Sequence, residues 1–211
     1  MFMPRIANIT PKAFLDGVTQ QLGHESASLI SQAYDMTPTR DQNLFITRAM
    51  QWMGDVVFEA PNHALATYLS THTTKKIYRY VFNVRNPFPN STFYQQAHHW
   101  VDIYFIFKTL QFRYPTQRLK DLSTRHAQLW VGFANGKAPW REYKYTGRGD
   151  EVVMVTDERD GWVERTVGEH ERMVEWGWKR CEMLWESWKA REGRADFKPL
   201  EIEPLRAMRM T

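Results

Sequence analysis

Ala97-His98-His99-Trp100-Val101-Asp102-Ile103-Tyr104-Phe105-Ile106-Phe107 is the stretch that decides how this chain is read. It follows, after a short loop, the β-prone run Lys76-Ile77-Tyr78-Arg79-Tyr80-Val81-Phe82-Asn83-Val84. The loop between them carries Asn86-Pro87-Phe88-Pro89-Asn90, a turn by composition. A strand, a Pro-broken loop, then a histidine with a carboxylate three residues on is an arrangement suited to a general base. Imidazole titrates near neutrality, so it can accept a proton and give it back. The strand is apolar or aromatic almost throughout, which fits a sheet covered on both faces, as in an α/β protein.

Outward from that stretch the chain reads as mostly helical. Thr10, Pro11 and Gly23 punctuate a first helix with Phe14, Val18 and Leu22 four apart. A second runs from about His24 to Tyr34 with Leu29, Ile30 and Ala33 inward. A third passes through Leu44, Ala49, Trp52 and Val56 to about Glu59, where Pro61 is expected to break it before a short helix at Asn62 to Leu69. Downstream, Gln117 to Asn135 carries Leu119, Leu122, His126, Leu129 and Phe133 on one face, with Gly136 as the stop. Glu151 to Val155 reads as a short strand. The closing helix, Gly168 to Arg191, has a stripe of Val174, Trp178, Cys181, Trp185 and Trp188 that is expected to pack on the body of the protein. The expected organisation is one α/β domain over residues 1–192, helix-rich with only two or three strands, and a loosely ordered tail at 193–211. So few strands make better sense as the end of a larger sheet, and an uncovered sheet edge would favour self-association.

Composition excludes several classes. The net charge of +4 comes from interspersed residues, with no concentrated basic face, so nucleic acid is not an expected partner. Nine Trp, nine Tyr and twelve Phe call for burial in a core or interface. Cys181 is alone, so no internal disulfide forms, and no metal-ligand spacing surrounds it. His63, His72, His126 and His170 have no ligand spacing either; no metal and no cofactor are expected. No segment approaches the ~20 apolar residues of a membrane span. The first residues lack the apolar core of a signal peptide. A complete chain would then be cytosolic, and one lacking its start could be secreted. Arg148-Gly149-Asp150, beside Gly147, reads as a turn rather than an adhesion tripeptide.

The His98-His99 region, with Tyr80-Val81-Phe82 and Asn86-Pro87-Phe88 before it, resembles the C-terminal part of the type-B carboxylesterase/lipase family. Leu129-Trp130-Val131-Gly132-Phe133-Ala134-Asn135-Gly136 and Pro139-Trp140-Arg141-Glu142-Tyr143 are similar to that family's late helix and its exit. The resemblance implies the C-terminal portion of an α/β-hydrolase fold and hydrolysis of a small-molecule carboxylic ester. It maps the catalytic histidine onto His99, since Asp102 stands three residues on, with His98 as the alternative one residue away. Asp102 is read as an anchor for the loop or a neighbour. One departure is Gln95-Gln96, where the family commonly has a glycine shortly before the histidine.

Hydrolases of this fold present their nucleophile in Gly-x-Ser-x-Gly. None of the eleven glycines here opens that motif, and Ser26, Ser28 and Ser31 lie in helical sequence. No glycine-rich oxyanion loop is present, and neither Asp55 nor Glu59 sits in the family's acidic motif. The expectation is a C-terminal fragment of a carboxylesterase-like enzyme that carries the base without the serine, and is inactive alone. The alternative is a non-catalytic interaction or assembly module.

Overall fold

The computed structural model describes residues 10–38, 41–91, 93–98, 100–174 and 177–189. These fall into two compact units, residues 10–64 with 177–189 and residues 65–174. The tail expected at 193–211 lies outside the described residues.

The first unit is helical. α1, Pro11–Leu22, starts where Thr10 accepts the Ala13 N–H at 3.2 Å and ends at Gly23, whose φ of 78° favours glycine. α2, His24–Ala33, buries Ala27, Ile30 and, just past its end, Tyr34. Leu29 and Ala33, expected inward, are exposed, because the small Ala27 lets the helix approach its neighbours along the 27-30-34 line. α3, Gln42–Gly54, is capped by Asp41, which accepts from the Asn43 and Leu44 N–H groups. Phe45, Ala49 and Trp52 carry its buried face, while Leu44 is exposed.

Pro61 does not break this helix. A π-turn at Asp55–Glu59 links α3 directly to α4, Ala60–His72. Proline lacks an N–H and its ring clashes with the carbonyl four residues back; the wider turn moves that carbonyl aside before Pro61 is reached. α4 divides between the units at Ala64.

The closing helix is two helices, α7, Val167–Val174, and α8, Trp178–Lys189. Gly177, a poor helix former, begins the second, its carbonyl accepting from the Cys181 N–H at 2.8 Å. Of the expected stripe Trp178 and Cys181 are buried and Trp185 is half-buried, while Leu184, outside the stripe, is buried as well; the side chains of Val174 and Trp188 lie outside the described ones.

In the second unit three strands form the sheet β1-β2-β3: β1, Tyr80–Phe82; β2, Val152–Asp157; and β3, Gly161–Thr166. β1 is shorter than the run at Lys76 to Val84, although Ile77 makes a separate bridge to Tyr143. It pairs in parallel with β2, Val81 opposite Val155, and β2 pairs antiparallel with β3, Val155 opposite Val163. β3 was absent from the strands read in sequence. Asp160-Gly161 marks its hairpin, with Gly161 at φ 77°.

One sheet face presents Tyr80, Phe82, Met154, Thr156 and Trp162 to α6, Gln117–Ala134. Thr116 caps α6, and Leu119, Leu122, Ser123, His126 and Leu129 are its buried residues; Phe133 is exposed. β3 leads straight into α7 through a capping box. Thr166 accepts the Glu169 N–H at 3.2 Å while Glu169 accepts the Thr166 N–H at 2.8 Å. The tripeptide at Arg148 is a turn, closed by the Arg148–Asp150 ion pair and by Glu151, which accepts from the Thr146 and Gly147 N–H groups.

Candidate functional site

The loop from β1 to α5, Val101–Ile106, is built on Asn86. Its backbone N–H donates to the Gln96 carbonyl and its own carbonyl accepts from the Gln95 N–H, both at 2.9 Å, which clamps the two ends of the loop together. The side chain adds three contacts. Oδ1 accepts from the Phe88 N–H at 3.1 Å, which fixes the amide orientation. Nδ2 therefore donates to Ser91 Oγ at 2.6 Å and points at His98 Nε2 at 3.3 Å, leaving that nitrogen the acceptor. The His98 ring also lies 4.8 Å from Phe93. Val84, Phe88, Val101 and Phe105 bury beside Tyr114, Leu119 and Leu122, so both ends of the loop are rooted in one apolar cluster.

His99, the residue assigned as the catalytic base, lies outside the described residues. Its neighbours define the local backbone. Among the described residues of the loop, three that are not glycine adopt positive φ: Asn90 at 67°, Gln95 at 61° and Trp100 at 80°. Asn takes this conformation readily, whereas glutamine and tryptophan pay for it. Gln95 stands near where the resembling family has glycine, and its φ supplies the reason a glycine suits the loop. Trp100 is exposed and stands at the N-terminus of α5.

Asp102 accepts from Tyr80 Oη at 3.3 Å, which ties the first turn of α5 to β1. Burial is the main cause that pushes the Tyr80 phenol far above its ordinary range, and the Asp102 charge adds to it. The sequence had marked Asp102 only by its spacing; Tyr80, on the facing strand, was not read as its partner.

The other polar candidates are placed as structural groups. Ser26, Ser28 and Ser31 sit within α2, with no strand-to-helix elbow. Asp55 is buried in the first unit, where Tyr34 Oη donates at 2.7 Å and Arg180 Nε at 3.3 Å. The Arg180 guanidinium also lies 5.2 Å above the Tyr34 ring. Buried His63 packs edge-on against Trp178, ring centroids 4.5 Å apart, and His72 stacks on Tyr68. His126 and His170 are fully buried, and burial lowers both imidazoles to about 4. Among the described residues no cluster of three or more His, Cys, Asp or Glu side chains could hold a metal ion. Among them too, no helix is long and apolar enough to cross a membrane.

Comparison with known proteins gives this arrangement its family. The chain is similar to two solved structures of a PNB esterase, each at 20% identity, with TM-scores of 0.56 and 0.53. Each match covers 78% of this chain but only 32% and 33% of the esterase, so the chain spans about a third of the length of those structures. The likeness is one of fold, an α/β-hydrolase-like architecture that is helix-rich here around three strands. No curated protein matches the chain. A family model described as the carboxylesterase family matches residues 7–176, which is most of the sequence, and the chain therefore belongs to the carboxylesterase family.

Proposed function

We propose that this chain is the histidine-bearing, C-terminal portion of a carboxylic ester hydrolase, spanning residues 1–192 before the tail, with His99 as its general base. In the parent reaction a serine attacks the ester carbonyl, the imidazole takes its proton, and the same proton returns to the leaving alcohol. Backbone donors would hold the oxyanion and a carboxylate would fix the imidazole tautomer. The observation that carries the reading is the loop itself: a strand end, a clamp at Asn86, two adjacent histidines and an anchored carboxylate at Asp102, in a chain of the carboxylesterase family.

One feature supports His99 over His98. Nε2 of His98 faces the Asn86 amide, so the nitrogen a base would use is already engaged. Asp102 is held by Tyr80 and serves the loop as an anchor, not as the acid that orients the base.

No Gly-x-Ser-x-Gly and no glycine-rich oxyanion loop stand in this sequence, and none of its carboxylates is assigned as the orienting acid. A base alone gives no covalent catalysis, so the chain by itself is inactive on esters. A second reading, an assembly module, is favoured by β1. The ladder to β2 uses the Arg79 carbonyl and the Asn83 N–H, so alternation turns the backbone groups of Tyr80 and Phe82 toward the outer edge of the sheet. Among the described strands β1 is that edge, and it can accept a further strand from the rest of a hydrolase domain or from a second copy. The purified chain is assayed on a short-chain aryl ester beside His99→Ala. Equal background rates are expected; turnover that His99→Ala abolishes would mean a nucleophile has gone unrecognised.

A further inference from the structure

We infer that His126 is an acid-sensitive clasp: neutral, it closes the aromatic layer between α6 and the sheet; protonated, it loosens α6 from that layer. The ring has no solvent exposure, and among the described residues neither of its nitrogens has a hydrogen-bond partner. Aromatic rings surround it. Phe82 of β1 stacks on it at 5.2 Å with 24° between planes, Trp130 of α6 meets it edge-on at 4.8 Å, and Trp162 of β3 and Tyr80 of β1 lie at 4.9 and 6.1 Å.

The groups on the surrounding elements do not compensate a charge there. From β1, the Tyr80 hydroxyl is turned to Asp102 of α5. From β2, Thr156, cross-strand partner of both Phe82 and Trp162, has a buried hydroxyl that itself lacks a partner. From β3, Glu164 is engaged by Arg141. On α6, Ser123 donates to the Phe105 carbonyl at 2.7 Å and Arg125 is exposed. Protonation would add a second N–H donor where, among the described residues, neither ring nitrogen has a hydrogen-bond partner, and would place a charge among aromatic rings. The face of the stacked Phe82 ring attracts a cation, which returns only part of that loss.

The direction with pH follows from the proton balance. The ordinary imidazole value is 6.5 and burial holds this one at about 4, so the unfolded chain binds the proton more tightly than the folded one. Stability is therefore complete above about 6.5, falls as pH drops through the interval, and levels off below about 4. Over that whole interval the folding equilibrium constant drops about 300-fold on account of His126. His170 adds a similar loss: burial lowers it first, and the nearby Arg165 charge lowers it further. The test must therefore separate the two.

Urea unfolding of the full chain and of His126→Phe, which keeps an aromatic ring and removes the proton site, is followed from pH 7 to pH 4.5. The native chain is expected to lose about 40-fold more folding equilibrium constant than the variant between pH 6.5 and 4.5. Parallel curves would overturn the inference. Should the variant fail to fold, the ring protons of His126 in the native chain decide by NMR. They are expected to keep the neutral shift down to pH 5, and a titration midpoint near 6.5 would overturn the inference.

Discussion

Asp55 and His126 are both polar side chains set inside apolar cores, one in the helical unit and one in the sheet unit. Asp55 is met by Tyr34 and Arg180, so its charge is compensated by an ion pair and a hydrogen bond. His126 is met by aromatic rings, so it can be kept only as a neutral group. The difference teaches that burial alone does not fix what a polar residue does. A partnered charge holds elements together at any pH where it stays charged, whereas an unpartnered imidazole holds them only while it stays neutral.

Removing a partner should cost most where a charge is left behind. Asp55→Ala strands a partly buried guanidinium and leaves the Tyr34 hydroxyl without its acceptor, and should destabilise the helical unit by about 3 kcal/mol. Urea unfolding measures it, and a loss below about 1 kcal/mol would mean the centre is solvated rather than paired. Ser123 provides a middle case, a neutral buried group that is partnered, three residues before His126 on the same helix. Ser123→Ala leaves the Phe105 carbonyl without that donor and should cost about 1–2 kcal/mol, with no change in pH dependence. The smallest effect belongs to the backbone of the site loop. Gln95→Gly relieves a left-handed glutamine at the cost of chain entropy, and should stabilise by about 0.5 kcal/mol. Thermal unfolding reads that gain; a clear loss would show that the Gln95 side chain holds the loop.

The contrast between the two centres was not written in the sequence, and the reason is physical. His126 was visible at helical spacing on the apolar face of α6, but spacing says only that a residue faces inward. Whether a carboxylate or a ring lies opposite depends on strands dozens of residues away. Asp55 was noticed as an acid; its partner Arg180 lies 125 residues further on, beyond any local pattern. Local punctuation was legible where it is chemically self-contained, as in the Thr10, Pro11 and Gly23 signals around α1 and the Thr116 cap of α6. It misled at Pro61, because a π-turn upstream can absorb a proline. It was overlooked at Asp160-Gly161, where the hairpin into β3 had an adequate turn signal. At the candidate site the histidine pair and Asp102 could be read, whereas the Asn86 clamp could not. That clamp joins backbone groups ten residues apart, Asn86 to Gln96, and backbone bonds leave no trace in residue identity.

The proposed role of His99 is tested within a whole hydrolase domain. In a chimera this chain replaces the matched third of the PNB esterase, and turnover of a short-chain aryl ester is measured in the soluble protein. Turnover is expected to survive His98→Ala and to be lost, by a factor of about 1,000 or more, in His99→Ala. Turnover that persists in His99→Ala would contradict the assignment of His99 as the general base.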